Sequence, residues 1–255
     1  MQDKMEKITF KNSRDLKLVG NFYSAGDEAM VIMCHGFASD QYANDRFGKL
    51  AQALNERGIS ALSFDFSGCG ESDDDTLTAD KLSDDLISAV DYVKTLGYKK
   101  IALFSHSLGA YISLRTYSEI IRTMVLLGPL TGPLDFRADE FYTAEQRREI
   151  EAKGYFTIKN ENRIRKEVMV DSQLATDIAE IDQKALFAEI NCPILMIHGD
   201  QGEMEATLYP CSKDAIKLVS GDSTLVILEG SSHSFVEAYD KVIQLSIEWF
   251  SKHFD

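Results

Sequence analysis

The chain predicts an α/β fold, a mostly parallel, doubly wound sheet interrupted by one inserted segment. Short apolar runs recur along its 255 residues, at 30–34, 59–65, 101–104, 123–129, 192–199 and 224–228. Strands covered on both faces read this way. Stretches of helical period separate the runs, which implies βαβ crossovers. Between 130 and 191 that rhythm breaks, and dense charge (Arg147-Arg148-Glu149, Arg163-Ile164-Arg165-Lys166-Glu167) mixes with aromatics (Phe136, Phe141, Tyr142, Tyr155, Phe156). A structureless loop of that length does not suit a compact domain. The interval therefore predicts a cap of short helices with a small hairpin near 154–170, set into a core made of 1–129 and 192–255.

The elements follow in order. Residues 8–10 and 16–23 alternate apolar and polar around Asn12-Ser13-Arg14-Asp15, the signal of an antiparallel edge hairpin. After the strand at 30–34, Phe47, Leu50, Ala51 and Leu54 recur at helical spacing and Gly58 supplies a stop. The strand at 59–65 runs into Phe66-Ser67-Gly68-Cys69-Gly70-Glu71-Ser72. Thr78 can cap a helix whose stripe is Leu82, Leu86, Ala89, Val90, Val93 and Leu96. Val242, Leu245, Trp249 and Phe250 fit a closing helix.

Composition narrows the function classes. A formal net charge of -14 repels nucleic acid and anionic membranes at long range. Cys34, Cys69, Cys192 and Cys211 are far apart with no Cys-x-x-Cys pair, and Met1-Gln2-Asp3-Lys4-Met5-Glu6 holds no apolar signal core. Free thiols in a reducing cytoplasm are expected. No run approaches the roughly 18 apolar residues of a membrane span.

The chemistry gathers where the strand at 101–104 meets Ser105-His106-Ser107-Leu108-Gly109 and then a helix-like stretch. Small residues beside Ser107 let strand and helix close around a sharp turn, which leaves the hydroxyl exposed on strained backbone. The helix aims its free N–H groups at the same point. Both effects favour acyl transfer. Here the chain resembles the α/β-hydrolase family, whose elbow is usually Gly-x-Ser-x-Gly, with Ser105 replacing the first glycine. Asp65-Phe66-Ser67-Gly68-Cys69-Gly70-Glu71-Ser72 resembles the family's Asp-x-x-Gly-x-Gly-x-Ser scaffold turn, and His35-Gly36-Phe37 its His-Gly-x motif. In the inserted segment, Gly154-Tyr155-Phe156, Arg163-Ile164-Arg165-Lys166-Glu167 and Asp171-Ser172 look like the cap of bacterial cinnamoyl (feruloyl) esterases. The similarity extends to monoacylglycerol-lipase-like and serine-aminopeptidase-like hydrolases.

A serine hydroxyl needs a base within reach, itself oriented by an acid. His233, in Glu229-Gly230-Ser231-Ser232-His233-Ser234-Phe235 beyond the last strand, is the expected base. His35 and His198 are expected to stabilise turns, His106 to point away from Ser107, and His253 to be solvated. The acid should follow the strand at 194–199. The family commonly reads His-Gly-x-x-Asp-x-x-Val-Pro there, and the position of its aspartate is Gly202 in this chain. Glu203 is nearest and is the first choice, Asp200 sits early, and Glu205 fits a count back from Pro210. The oxyanion donors implied are the N–H groups of Leu108, after the nucleophile, and of Phe37, in the His-Gly-x motif. The resemblance implies a serine carboxylesterase working through an acyl-enzyme, with a hydroxycinnamoyl ester as leading small-molecule substrate. It calls for no metal or cofactor and leaves a homodimer open. A lipid-ester hydrolase, a peptidase and a non-catalytic binding protein on the same scaffold are the alternatives, the last motivated by Gly202 and Ser105.

Overall fold

A computed structural model describes residues 5–137, 141–219 and 221–254. The opening Met1–Lys4, read above for a signal segment, lies outside them. Strands β1 (Met5–Lys11), β2 (Lys17–Tyr23), β3 (Ala29–Cys34), β4 (Ser60–Phe64), β6 (Lys100–His106), β7 (Ile121–Leu127), β10 (Ile194–Gly199) and β11 (Thr224–Leu228) form one sheet in the order β1-β2-β4-β3-β6-β7-β10-β11. The β1–β2 hairpin lies antiparallel at one edge, and every pair from β4 to β11 is parallel. This is the doubly wound sheet that the apolar runs predict.

Alternation explains why those runs are apolar throughout. Met30, Ile32, Ile101, Leu103, Met124, Leu126, Ile194 and Met196 pack into one layer. Their neighbours Val31, Met33, Ala102, Phe104, Val125, Leu127, Leu195 and Ile197 pack into the other. Because successive side chains of a strand point to opposite faces, β3, β6, β7 and β10 carry apolar residues on both faces. Helices α1 (Arg46–Asn55) and α8 (Tyr239–Phe254) cover the second layer, through Phe47, Leu50, Leu54, Trp249 and Phe250. Helices α2 (Ala79–Thr95) and α3 (Leu108–Arg115) cover the first. Thr78 caps α2 by accepting from Lys81 N–H, as its position predicts. Leu96 leaves the stripe and is exposed just past the helix end. His253, expected in solvent, instead packs its ring 4.4 Å from that of Trp249.

The segment between β7 and β10 holds α4 (Ala144–Lys153), β8 (Tyr155–Lys159), β9 (Glu167–Asp171), α5 (Ser172–Ala179) and α6 (Gln183–Phe187). A reciprocal Thr143–Gln146 capping box starts α4 and Gly154 ends it, as such residues do. Strands β8 and β9 form the hairpin expected at 154–170, and the short β5 (Thr76–Leu77) joins it to make a second, three-stranded sheet. That strand was not legible in advance, being two residues long. Phe156, Val168, Val170, Leu174 and Ile178 share a buried cluster with the sheet's first layer.

One helix was missed altogether. The residues after β10, among which the acid is expected, form α7 (Glu203–Ala215), with Pro210 inside it. Its buried positions are Glu205, Leu208, Ser212 and Ala215. The spacing is helical, but half of the stripe is polar.

Candidate active site

Register places the site. Cys34 pairs with Ser105, His106 with Leu127, Leu127 with Ile197, and Gly199 with Leu228. The loops that follow these strands therefore emerge along one edge. Strands β3 and β6 are neighbours whose outgoing chains turn to opposite sides, the switch point where ligands bind in open α/β sheets.

Ser107 links β6 directly to α3 with φ 55° and ψ −119°. A non-glycine residue held there stores roughly 1–3 kcal/mol of strain. Its N–H still donates to Leu127 O at 2.8 Å, which anchors the turn to β7. Ser105, where the family's first glycine would stand, is fully buried and its hydroxyl lies 2.6 Å from that of Ser113 on α3. The extra oxygen thus has a partner, and the turn keeps its close packing.

His233 brings the elements together. Its Nε2 lies 3.0 Å from Ser107 Oγ, and its Nδ1 bonds Glu205 Oε1. The other carboxylate oxygen, Oε2, accepts from Gly199 N–H at 3.0 Å and lies 2.7 Å from His198 Nδ1. Burial by itself would raise the Glu205 carboxyl, but hydrogen bonds from His198 and His233, with their charge interactions, hold it down at about 2. The amino end of α7 also favours negative charge. An ionised carboxylate thus faces His233 Nδ1 at neutral pH.

Glu203, the first choice, is the residue that the structure does not bring to His233. It opens α7 in an exposed position, while Glu205, an alternative, makes the contact. Two helical steps turn a side chain by roughly 200°, so only one of the pair can face inward. Gly202, in the family's aspartate position, precedes α7 with φ 90°. Asp200 does not reach His233 either: its Oδ1 accepts from Gly230 N–H at 2.7 Å and so anchors the loop that carries the histidine.

Three further residues make contacts in the site that the sequence reading did not assign to them. Gly128 follows β7, and a Cβ there would stand 2.6 Å from His233 Cε1 and 2.7 Å from Glu205 Oε1. Only glycine leaves room for the imidazole–carboxylate pair. The Nε2 of His106 lies 2.8 Å from His233 O. Burial, with repulsion from His233, lowers its pKa to about 3, so the neutral ring donates to that carbonyl. His198, assigned to turn stabilisation, touches Glu205 itself.

A cavity of about 300 Å³ opens beside Ser107. Phe37 and Leu108 border it on the core side, and Phe136, Tyr142, Phe156 and Ile178 line it from the segment between β7 and β10. Phe37, Phe141 and Met204 line it while remaining 45%, 50% and 41% exposed. The first N–H groups of a helix have no intrahelical acceptor, which leaves that of Leu108 available to a ligand. Among the described residues no three His, Cys, Asp or Glu side chains gather as a metal site, and no helix is long and apolar enough to cross a membrane.

The family described as the alpha/beta hydrolase family matches residues 31–245. No curated protein matches the chain in sequence. Among solved structures, the alpha/beta hydrolase GrgF from Penicillium sp. sh18 is 17% identical with a TM-score of 0.78, over 98% of this chain and 99% of that one. Est1E from Butyrivibrio proteoclasticus, solved with ferulic acid bound, is 20% identical with a TM-score of 0.77, over 96% and 98%. A Paleococcus ferrophilus monoacylglycerol lipase is 18% identical with a TM-score of 0.74, over 92% and 99%. At such identities the likeness is one of fold.

Proposed function

The chain belongs to the alpha/beta hydrolase family, and from that premise we propose that it is a serine ester hydrolase working through an acyl-enzyme. The observation that carries this reading is the His233 ring bridging Ser107 Oγ and Glu205 Oε1. In the proposed reaction His233 Nε2 takes the Ser107 proton as Oγ attacks the ester carbonyl. His233 then returns that proton to the leaving alcohol, and a second cycle with water frees the acid. Glu205 holds the imidazole in the Nδ1–H tautomer and stabilises its charged form. The Phe37 and Leu108 N–H groups receive the oxyanion, an arrangement that commonly supplies the largest electrostatic share of such catalysis.

The segment 130–191 serves in this reading as the cap, and its aromatic wall supports an aryl-containing acyl group, with hydroxycinnamoyl esters first. A second reading, an acylglycerol hydrolase, is favoured by the apolar rim of Phe37, Phe141 and Met204. No carboxylate lines the cavity among the described residues, so the anchor for a substrate amine that a peptidase reading needs is not found there.

The test is fluorophosphonate labelling followed by turnover of p-nitrophenyl butyrate, methyl ferulate and a monoacylglycerol. Labelling of wild type but not of Ser107→Ala, with hydrolysis of methyl ferulate, is the expected result. Failure of folded wild type to label would favour a binding protein. Turnover of the glycerol ester alone would move the assignment to the second reading.

A further inference from the structure

Glu205 is shared by two imidazoles, and only one of them faces Ser107. The other, His198, closes β10 and is fully buried. Its Nδ1 lies 2.7 Å from Glu205 Oε2 and its Nε2 2.8 Å from Ser212 Oγ, which in turn lies 3.2 Å from Thr131 Oγ1. Glu205 and Ser212 are seven residues apart on the same buried face of α7. A single ring therefore holds that face at two points.

The chemistry of these contacts decides the tautomer. An ionised carboxylate only accepts, so the nitrogen facing it carries hydrogen and His198 Nδ1–H donates to Oε2. In the neutral ring Nε2 is then an acceptor, which the Ser212 hydroxyl satisfies as donor. A hydrogen-bonded row results, running from Ser107 through His233, Glu205 and His198 to Ser212 and Thr131. Glutamate has one more rotatable bond than aspartate. A carboxylate reaching in from a helix needs Oε2 restrained if Oε1 is to meet His233 in one orientation.

We propose that His198 is a positioning residue for the Ser107–His233–Glu205 centre, setting the rotation of the Glu205 carboxylate and drawing part of its charge toward Oε2. This rests on the catalytic reading of those three residues. It has a consequence that packing alone would not produce. Without the Nδ1–H donor, more charge falls on Oε1, and the proton affinity of His233 rises. Ionisable groups around the row include Tyr209, whose ring is 5.7 Å from that of His198, His106, 5.0 Å from His233, Arg46, bonded to Ser234 O, and, at the loop that carries His233, Asp200, bonded to Gly230 N–H, and Glu237, bonded to Ser232. All of them stay unchanged in the variants below.

His198→Asn and His198→Gln separate the two ring nitrogens. The asparagine amide overlies Nδ1 and keeps a donor toward Glu205, whereas the glutamine amide overlies Nε2 and keeps only the Ser212 side. The His233 titration is followed by imidazole NMR in the folded proteins, a measurement that needs no turnover. The expected result is a midpoint raised by about half a unit or more in H198Q and close to wild type in H198N. On p-nitrophenyl butyrate, kcat should fall about tenfold or more in H198Q, the size of one hydrogen bond to a charged group, and recover in H198N. An unmoved or lowered midpoint in H198Q, or equal losses in both variants, overturns the proposal and makes His198 a packing residue. If wild type turns over no ester, the hydrolase reading fails, while the His233 midpoint still reports whether His198 governs Glu205.

Discussion

Glu205 and Asp65 both stand at the carboxyl edge of the sheet, one beyond β10 and the other beyond β4, and both are at most 1% exposed. They hold their protons very differently. Burial pushes the Asp65 carboxyl up to about 7, only partly offset by backbone N–H groups of Glu71 and Gln41 and the Gln41 side-chain amide, while the charge of Asp40 adds to the rise. Glu205, equally closed to solvent, sits at about 2. The difference lies in the partners. Asp65 is surrounded by neutral amides that tie the loop after β3 to the turn after β4. Glu205 has two imidazoles and a helix amino end. Depth of burial therefore does not settle the charge of a carboxylate; the groups able to share that charge do.

The strongest way to break this comparison is to neutralise each carboxylate in turn. Glu205→Gln keeps the shape but removes the charge that faces His233 Nδ1, and under the proposed mechanism kcat is expected to fall by about 10⁴. Asp65→Asn touches no reacting group and should leave kcat within about tenfold. Steady-state kinetics on one p-nitrophenyl ester decides it, and equal losses would erase the distinction.

Stability against pH gives the next effect, with opposite signs for the two sites. Glu205 is depressed from about 4.5 to about 2, so its contribution is complete above 4.5 and disappears as pH falls through 2. Its size is about 3 kcal/mol. Asp65 is raised from 3.8 to about 7, so its contribution is complete below 3.8 and is lost as pH rises through 7. Urea unfolding from pH 2 to 8 should show a smaller acid loss in Glu205→Gln and a smaller loss toward neutral pH in Asp65→Asn.

Two substitutions sharpen the picture at smaller scale. Gly128→Ala drives a methyl group into the His233–Glu205 contact, and a displacement of the order of 1 Å costs roughly a hundredfold in kcat. Methyl ferulate turnover checks this, and an unaffected rate would mean that the pair tolerates displacement. Glu203→Gln changes an exposed carboxylate two residues from Glu205, and kcat should stay within about twofold.

Particular residues mark how much could be read in advance. Ser107 was legible because an apolar strand, a run of small residues and a helix pattern adjoin it. His233 was legible because only one histidine follows the last strand within a short loop. The β8–β9 hairpin was expected because a structureless loop between 130 and 191 does not suit a compact domain. Helix α7 did not, since Pro210 argues against a helix interior and the buried stripe of Glu205, Leu208, Ser212 and Ala215 is apolar at only two of its four positions. Glu205 and Ser212 count as inward-facing only once His198 lies against them.

The sequence by itself determined the layered sheet, the strand-to-helix turn at Ser107 and the histidine loop beyond β11. These depend on hydrophobic period and on turn chemistry spanning a few residues. Only the tertiary structure decided which carboxylate meets His233, why Gly128 has no side chain, and that His198 joins the row. Those outcomes depend on the rotation of α7 about its axis and on its seating against β10, which neighbours in sequence do not encode.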